Sequence, residues 1–152
     1  MNVSWFKLVF WVGLCLLAGF IGSFFGPGEW YLSLRKSSLT PPNIVFPIVW
    51  NILFVLMGIA AWRISEKQQK IISFALTLFL IQLIFNILWS YLFFGMRRPD
   101  LALVEILVLW IFILSATIVF YKIDKMAGTL LMPYLVWVGF ACYLNYSIYS
   151  LN

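Results

Sequence analysis

Apolar residues run through this chain in blocks that are too long for the core of a soluble domain. Five stretches are predominantly apolar over about the 20 residues that a helix needs to cross a bilayer. They cover residues 5–25, 46–64, 71–95, 101–121 and 127–150. The first is interrupted only by Lys7, near its start. It is longer than the apolar core of a signal peptide, and no small-residue cleavage site follows it ahead of a soluble domain, so it reads as a retained span. The pattern predicts an all-α, polytopic membrane protein, a five-helix bundle in a single domain over residues 1–152.

One long segment breaks the pattern. Residues 26–45 hold Gly26, Pro27, Gly28, Pro41 and Pro42, and Pro47 follows just inside the second apolar stretch. Proline and glycine at this density forbid one continuous helix. The segment also carries Trp30 and Tyr31, and flexible tethers are poor in aromatics. It therefore reads as a structured cap over a pocket formed by the helices.

Within the spans, polar and aromatic side chains recur at helical spacing. Trp50 and Phe54 share a face of span two; Gln82, Asn86 and Trp89 share one on span three; Trp137, Ala141 and Asn145 share one on span five. Side-chain amides are costly in hydrocarbon unless paired, so these stripes face inward. Two readings are open for them: hydrogen bonding between helices, or polar anchors in an apolar ligand pocket. Trp50 equally suits an interfacial anchor. Glu105, about one turn into span four, is expected to snorkel to the interface or to pair with Arg97 or Arg98. If the stripes converge they form an aromatic cage with a few amides and no charge, suited to a flat, hydrophobic molecule.

Composition narrows the chemistry. Hydrophobic residues make up 64% and charged residues 10%, and mean hydropathy is +1.03. The net charge of +5 comes from basic residues in short loops beside apolar runs. That is a topology signal and a contact with lipid headgroups, and no nucleic-acid partner is expected. Lys7, Arg63, Lys67, Lys70, Lys122 and Lys125 fall on the N-terminal side, against Arg35, Lys36, Arg97 and Arg98 on the other, which places the N-terminus inside. The chain has no histidine, so Ser-His triads and His-ligated haem or zinc are excluded. Neither a metal nor a resident cofactor is expected. Cys15 and Cys142 lie inside apolar runs, where a structural disulfide is not expected. Gly22 and Gly26 have the small-xxx-small spacing, which serves either packing within the chain or a homodimer face.

The motifs resemble those of the TspO/MBR family, the tryptophan-rich sensory proteins and animal translocator proteins. The resemblance is carried by Gly26-Pro27-Gly28-Glu29-Trp30-Tyr31, then by Thr40-Pro41-Pro42-Asn43-x-Val45-Phe46-Pro47-x-Val49-Trp50 and Met57-Gly58-Ile59-Ala60. It continues in Gln82-Leu83-x-x-Asn86-x-x-Trp89-Ser90, in Ala127-Gly128-x-Leu130-Leu131-x-Pro133-Tyr134-x-x-Trp137, and in Leu144-Asn145. It spans all five apolar stretches. The resemblance implies a bundle, often a homodimer, in a bacterial cell membrane, whose first loop closes over a pocket for porphyrins, notably protoporphyrin IX, and for benzodiazepine-site ligands. It implies ligand contacts from Trp30, Tyr31, Pro42, Trp50, Phe54, Gln82, Asn86, Trp89, Trp137, Ala141 and Asn145. It further implies light- and oxygen-dependent porphyrin breakdown through Trp50 and Trp137. A carrier of porphyrin or another small hydrophobic molecule is the alternative, although no ionisable residue is expected at the membrane centre to couple transport.

The chain departs from the family pattern in three places. Lys36-Ser37-Ser38-Leu39-Thr40 lacks a loop proline and a loop tryptophan, so the contacts of the lid are expected to differ. Phe54 replaces a usual tyrosine. Tyr146 and Tyr149 are followed by no Lys or Arg, which removes the steroid-recognition pattern of the animal C-terminus.

Overall fold

A computed structural model of the protein describes residues 4–152. Among the described residues, five helices are long and apolar enough to cross a membrane. They are α1 (Trp5–Ser23), α3 (Val45–Ser65), α4 (Ile72–Ser90) continued by a π-helical turn (Tyr91–Gly95), α5 (Pro99–Ile123) and α6 (Lys125–Leu151). A short helix, α2 (Glu29–Ser33), lies in the long loop. The spans begin and end within about two residues of the apolar stretches. The π-helical turn had no counterpart in the apolar pattern.

Local chemistry sets the helix starts. Pro47 sits in the first turn of α3 and Pro99 opens α5, where a missing N–H costs no intrahelical bond. Asp124 caps α6 by accepting from the Ala127 N–H at 3.0 Å. After the π-helical turn the chain reverses through Arg97, which adopts a left-handed conformation at φ 55°.

The spans form a ring in the order α1, α3, α6, α5, α4, closed by α4 against α1. Their outward faces are bare apolar side chains such as Phe6, Val104, Ile111 and Val136, as a bilayer requires. Lipid gives helices little hydrophobic reason to associate, so close backbone approach carries the packing. A Cβ on Gly58 would lie 2.5 Å from Val12 Cα, so α1 and α3 touch nearly backbone to backbone there. A Cβ on Gly128 would lie 2.5 Å from Tyr121 Cα, which fixes the tight α5–α6 hairpin. Gly22 faces Ser90 of α4, so this glycine serves packing within the chain; Gly26 lies beyond the end of α1. Cys15 and Cys142 are unpaired thiols, as their positions predicted.

Charge collects at the two ends. At one end Asp124 pairs with Arg63 at 2.9 Å and with Lys67 at 2.8 Å, tying α3 to the α5–α6 turn. Lys7 Nζ lies 3.0 Å from Glu66 Oε1, an ion contact without an aligned hydrogen bond. At the other end Arg98 pairs with Asp100, and the long loop folds over the bundle. The loop is fastened at several points. Tyr31 is buried with its ring centroid 5.5 Å from Phe94 and 6.3 Å from Phe93. Lys36 Nζ lies 4.5 Å above the Tyr31 ring. The Arg35 N–H donates to Asn152 Oδ1 at 2.9 Å, and Asn152 Nδ2 donates back to the Arg35 carbonyl at 3.0 Å. Ser37 Oγ and Tyr143 OH are 2.9 Å apart, so the residue that replaces the family's loop proline makes a contact of its own.

Candidate functional site

Beneath the loop the ring of helices encloses a cavity of about 640 Å³. Its walls come from α1, α3, α4, the π-helical turn, α6 and the loop, and α5 contributes nothing to them. Among the described residues no charged side chain lines it. The volume lies within the range usual for small-molecule sites, as does the mix of apolar and aromatic walls with a few polar groups.

The three stripes expected from the sequence converge here. Trp50, Phe54, Asn86, Trp89, Trp137, Ala141 and Asn145 all line the cavity, and Tyr31 reaches it from the loop. Trp30, Pro42 and Gln82 do not line it. Trp30 packs edge-on against Phe93 at 5.8 Å, Pro42 is exposed, and Gln82 is buried behind the wall.

Hydrogen bonds decide which polar atoms face the cavity unsatisfied. The Trp89 indole N–H donates to Asn145 Oδ1 at 2.9 Å, and Asn145 Nδ2 donates to the Pro99 carbonyl at 2.8 Å. Both ends of the Asn145 amide are therefore used inside the protein. Asn86 Nδ2 donates to Tyr134 OH at 3.0 Å, and that hydroxyl donates to Gln82 Oε1 at 2.7 Å. Tyr134 was missed as a partner because a tyrosine among apolar neighbours carries no signal of what its hydroxyl meets. Asn86 Oδ1, the Trp50 indole N–H, Ser90 Oγ and the Tyr31 hydroxyl make no hydrogen bond to the described residues, which leaves acceptors and donors on several sides of the cavity for a ligand.

The aromatic walls are mutually braced. Trp50 stacks on Phe54 at 5.5 Å and meets Tyr134 edge-on at 6.1 Å. Phe54, which stands where the family usually has tyrosine, is buried with its ring directly against Gly19 of α1. Trp89 stacks on Phe93 at 5.0 Å, and Phe93 is buried within the π-helical turn. Phe93, Phe94 and Ile148 line the cavity without having stood out in the sequence. Phe93 continues the Asn86–Trp89 stripe and Ile148 lies in α6, but apolar residues among apolar neighbours do not stand out; Phe94 lies off the stripe of a straight helix, which the π-turn shifts.

One expectation is corrected. Glu105 neither snorkels nor pairs with Arg97 or Arg98. It is 7% exposed, and both carboxyl oxygens are buried without a partner. It does not line the cavity.

The TspO/MBR family profile matches residues 11–151. A tryptophan-rich protein TspO from Chlorobaculum tepidum is 44% identical, with 100% of this chain and 99% of that protein covered. A tryptophan-rich sensory protein from Cereibacter sphaeroides is 36% identical over 100% of this chain and 95% of that protein. The human translocator protein is 34% identical over 90% of this chain and 84% of its own length. Both the resemblance read from the motifs and the five-span fold agree with these similarities: the chain is a multi-pass integral membrane protein and belongs to the TspO/MBR family.

Proposed function

We propose that the protein is a membrane receptor for protoporphyrin IX and similar flat, apolar molecules, benzodiazepine-site ligands among them. The observation that carries this reading is the uncharged cavity of about 640 Å³ under a fastened loop, with three indoles from different helices in its wall, Trp50 and Trp137 among them. Stacking on Trp50 and Trp137 supplies contact area at small entropic cost, since each indole is already packed. Asn86 Oδ1 and the Trp50 N–H then orient the ligand, and displacing lipid or water from such a wall supplies most of the binding free energy.

A second reading, photo-oxidative degradation of the bound porphyrin, is favoured by the same two indoles. An indole stacked on a photoexcited ring is an oxidisable electron donor, with molecular oxygen as the oxidant. Trp50 and Trp137 are the residues this reading assigns to the chemistry.

The test is quenching of tryptophan fluorescence by protoporphyrin IX on purified protein, followed by illumination in air. Saturable quenching is the expected result. Trp50→Phe and Trp137→Phe are expected to retain binding and to lose conversion of the porphyrin. Unaltered conversion in both variants would remove the role given to the indoles and leave a receptor. Absence of saturable quenching would remove the porphyrin reading altogether.

A further inference from the structure

A second concavity lies on the outside of the bundle. A groove of about 540 Å³ runs along the seam between α3 and α6, walled by Val49, Ile52, Leu56, Pro133, Val136 and Phe140. Every one of these side chains is apolar. Val136 is 72% exposed and Ile52 56%, and both stand on membrane-spanning helices, so the groove opens into lipid. Trp137 lines this groove and the inner cavity as well, and among the described residues no other side chain does both. A single indole therefore separates the bilayer from the ligand cavity at this seam.

That indole is packed but has no hydrogen bond to fix it. Its N–H is buried and has no hydrogen-bond partner, whereas Trp89 and Trp110 both donate theirs. Its ring contacts are edge-on to Phe46 at 5.9 Å and tilted to Phe140 at 5.8 Å, and neither is a stack. One turn before it, Pro133 cannot bond back to the Thr129 carbonyl, so α6 is freer to bend at this level.

Close contacts brace the bundle elsewhere around the cavity. The α1–α3 seam is close-packed at Gly58 against the Val12 backbone, beyond the cavity, and at Gly19 against the Phe54 ring, whereas Leu16, Phe20 and Asn51 beside it are exposed. The α1–α4 seam is sealed by Gly22 against Ser90. On the aqueous side the loop is fastened by the paired Arg35–Asn152 hydrogen bonds, by Ser37 on Tyr143 and by buried Tyr31.

From these observations we infer that the α3–α6 groove is a lateral portal through which an apolar ligand dissolved in the bilayer reaches the cavity, with the Trp137 indole as its gate. The inference rests on the ligand-binding reading above. It adds the route and assigns Trp137 a second role that is kinetic.

A portal governs rates in both directions and leaves affinity alone, and this separates it from a binding wall. Stopped-flow association and dissociation of protoporphyrin IX would be followed by porphyrin absorbance, with the protein in lipid nanodiscs. Val136→Trp or Ile52→Trp fills the groove from outside, and neither residue lines the inner cavity. Both variants are expected to slow association and dissociation together by roughly tenfold, with Kd unchanged. Val104→Trp, on the lipid face of α5, and Asn152→Ala, which releases the loop, are expected to leave both rates as they were. Unchanged rates in the groove variants with faster exchange in Asn152→Ala would overturn the portal in favour of the loop. Weaker binding with unchanged association would make the groove a binding wall and overturn it equally. No saturable binding by the wild type would overturn the portal together with the reading it rests on, whereas the first two outcomes leave that reading standing.

Discussion

Tyr134→Phe removes one oxygen from a buried polar contact that ties α6 to α4. In the native protein that hydroxyl accepts from Asn86 at 3.0 Å and donates to Gln82 at 2.7 Å. Gln82 is 1% exposed, so its carbonyl has no water to turn to, and its Nε2 is already without a partner. Phenylalanine keeps the ring and its edge-on contact with Trp50. The loss is therefore two stranded polar atoms and almost no packing. Each stranded atom costs about 1–3 kcal/mol in a soluble core. Within a bilayer the figure falls toward about 1 kcal/mol, because the unfolded helices also find partners there. The sum for Tyr134→Phe is then about 2 kcal/mol.

The second step of the cycle makes this decisive. Adding Gln82→Leu removes the stranded carbonyl and the amide nitrogen that was never paired. The double variant should recover about 1 kcal/mol relative to Tyr134→Phe alone. Unfolding in mixed micelles of increasing SDS fraction would measure both steps. A double variant less stable than Tyr134→Phe, or a single variant within about 0.5 kcal/mol of wild type, would refute the reasoning.

Two further outcomes follow from the packing and the charges. Burial raises the pKa of Asp124, but hydrogen bonds from Lys67, from Arg63 and from the Ala127 N–H outweigh it and hold the carboxyl well below the usual carboxylate range. Its stabilisation is thus complete above an unfolded pKa of about 4 and is lost as pH falls below that value. Asp124→Asn keeps a side chain able to cap α6 and loses the charge. It should cost about 2 kcal/mol, a figure discounted because Arg63 and Lys67 are about a third exposed. By thermal unfolding, the wild-type advantage should stay constant from about pH 8 to pH 5 and shrink below about pH 4. A gap that closes between pH 8 and pH 5 would contradict the assignment. Gly58→Leu should displace α1 and abolish saturable ligand binding, since even a Cβ there lies 2.5 Å from the Val12 backbone. Gly13→Ala, which meets nothing within 4 Å, should instead stabilise α1 by about 0.5–1 kcal/mol.

The spans were legible because hydrophobic length is a direct physical requirement of the bilayer, and they fall within about two residues of the apolar blocks. The convergence of Trp50, Asn86, Trp89, Trp137 and Asn145 was legible for a related reason. Amides and indoles on a membrane helix have few places to go but inward, and their spacing names the face. Spacing could not say how deep in the wall each would sit. Gln82 shares its face with Asn86, yet it lies one turn further down, below the cavity floor, where Tyr134 satisfies its carbonyl. Phe93 continues the same stripe, four residues after Trp89, and was passed over only because an apolar ring among apolar residues carries no signal; Phe94 lies off that stripe, and it is the π-turn that lets it reach the cavity.

Glu105 shows that distance from the end of a span does not by itself say where a carboxylate goes. Counted from an apolar block beginning at residue 101, it lies four residues in, or roughly 6 Å at 1.5 Å per residue, close enough for a carboxylate to reach the interface. The structure instead turns Glu105 into the bundle, where it is buried. There α5 is packed against both α4 and α6, and Arg98 is already engaged by Asp100. Both carboxyl oxygens are left buried with no hydrogen-bond partner. What decides this is which face of α5 meets α4 and α6, and the hydropathy of the block carries no information about that face, because nearly every residue around Glu105 is apolar.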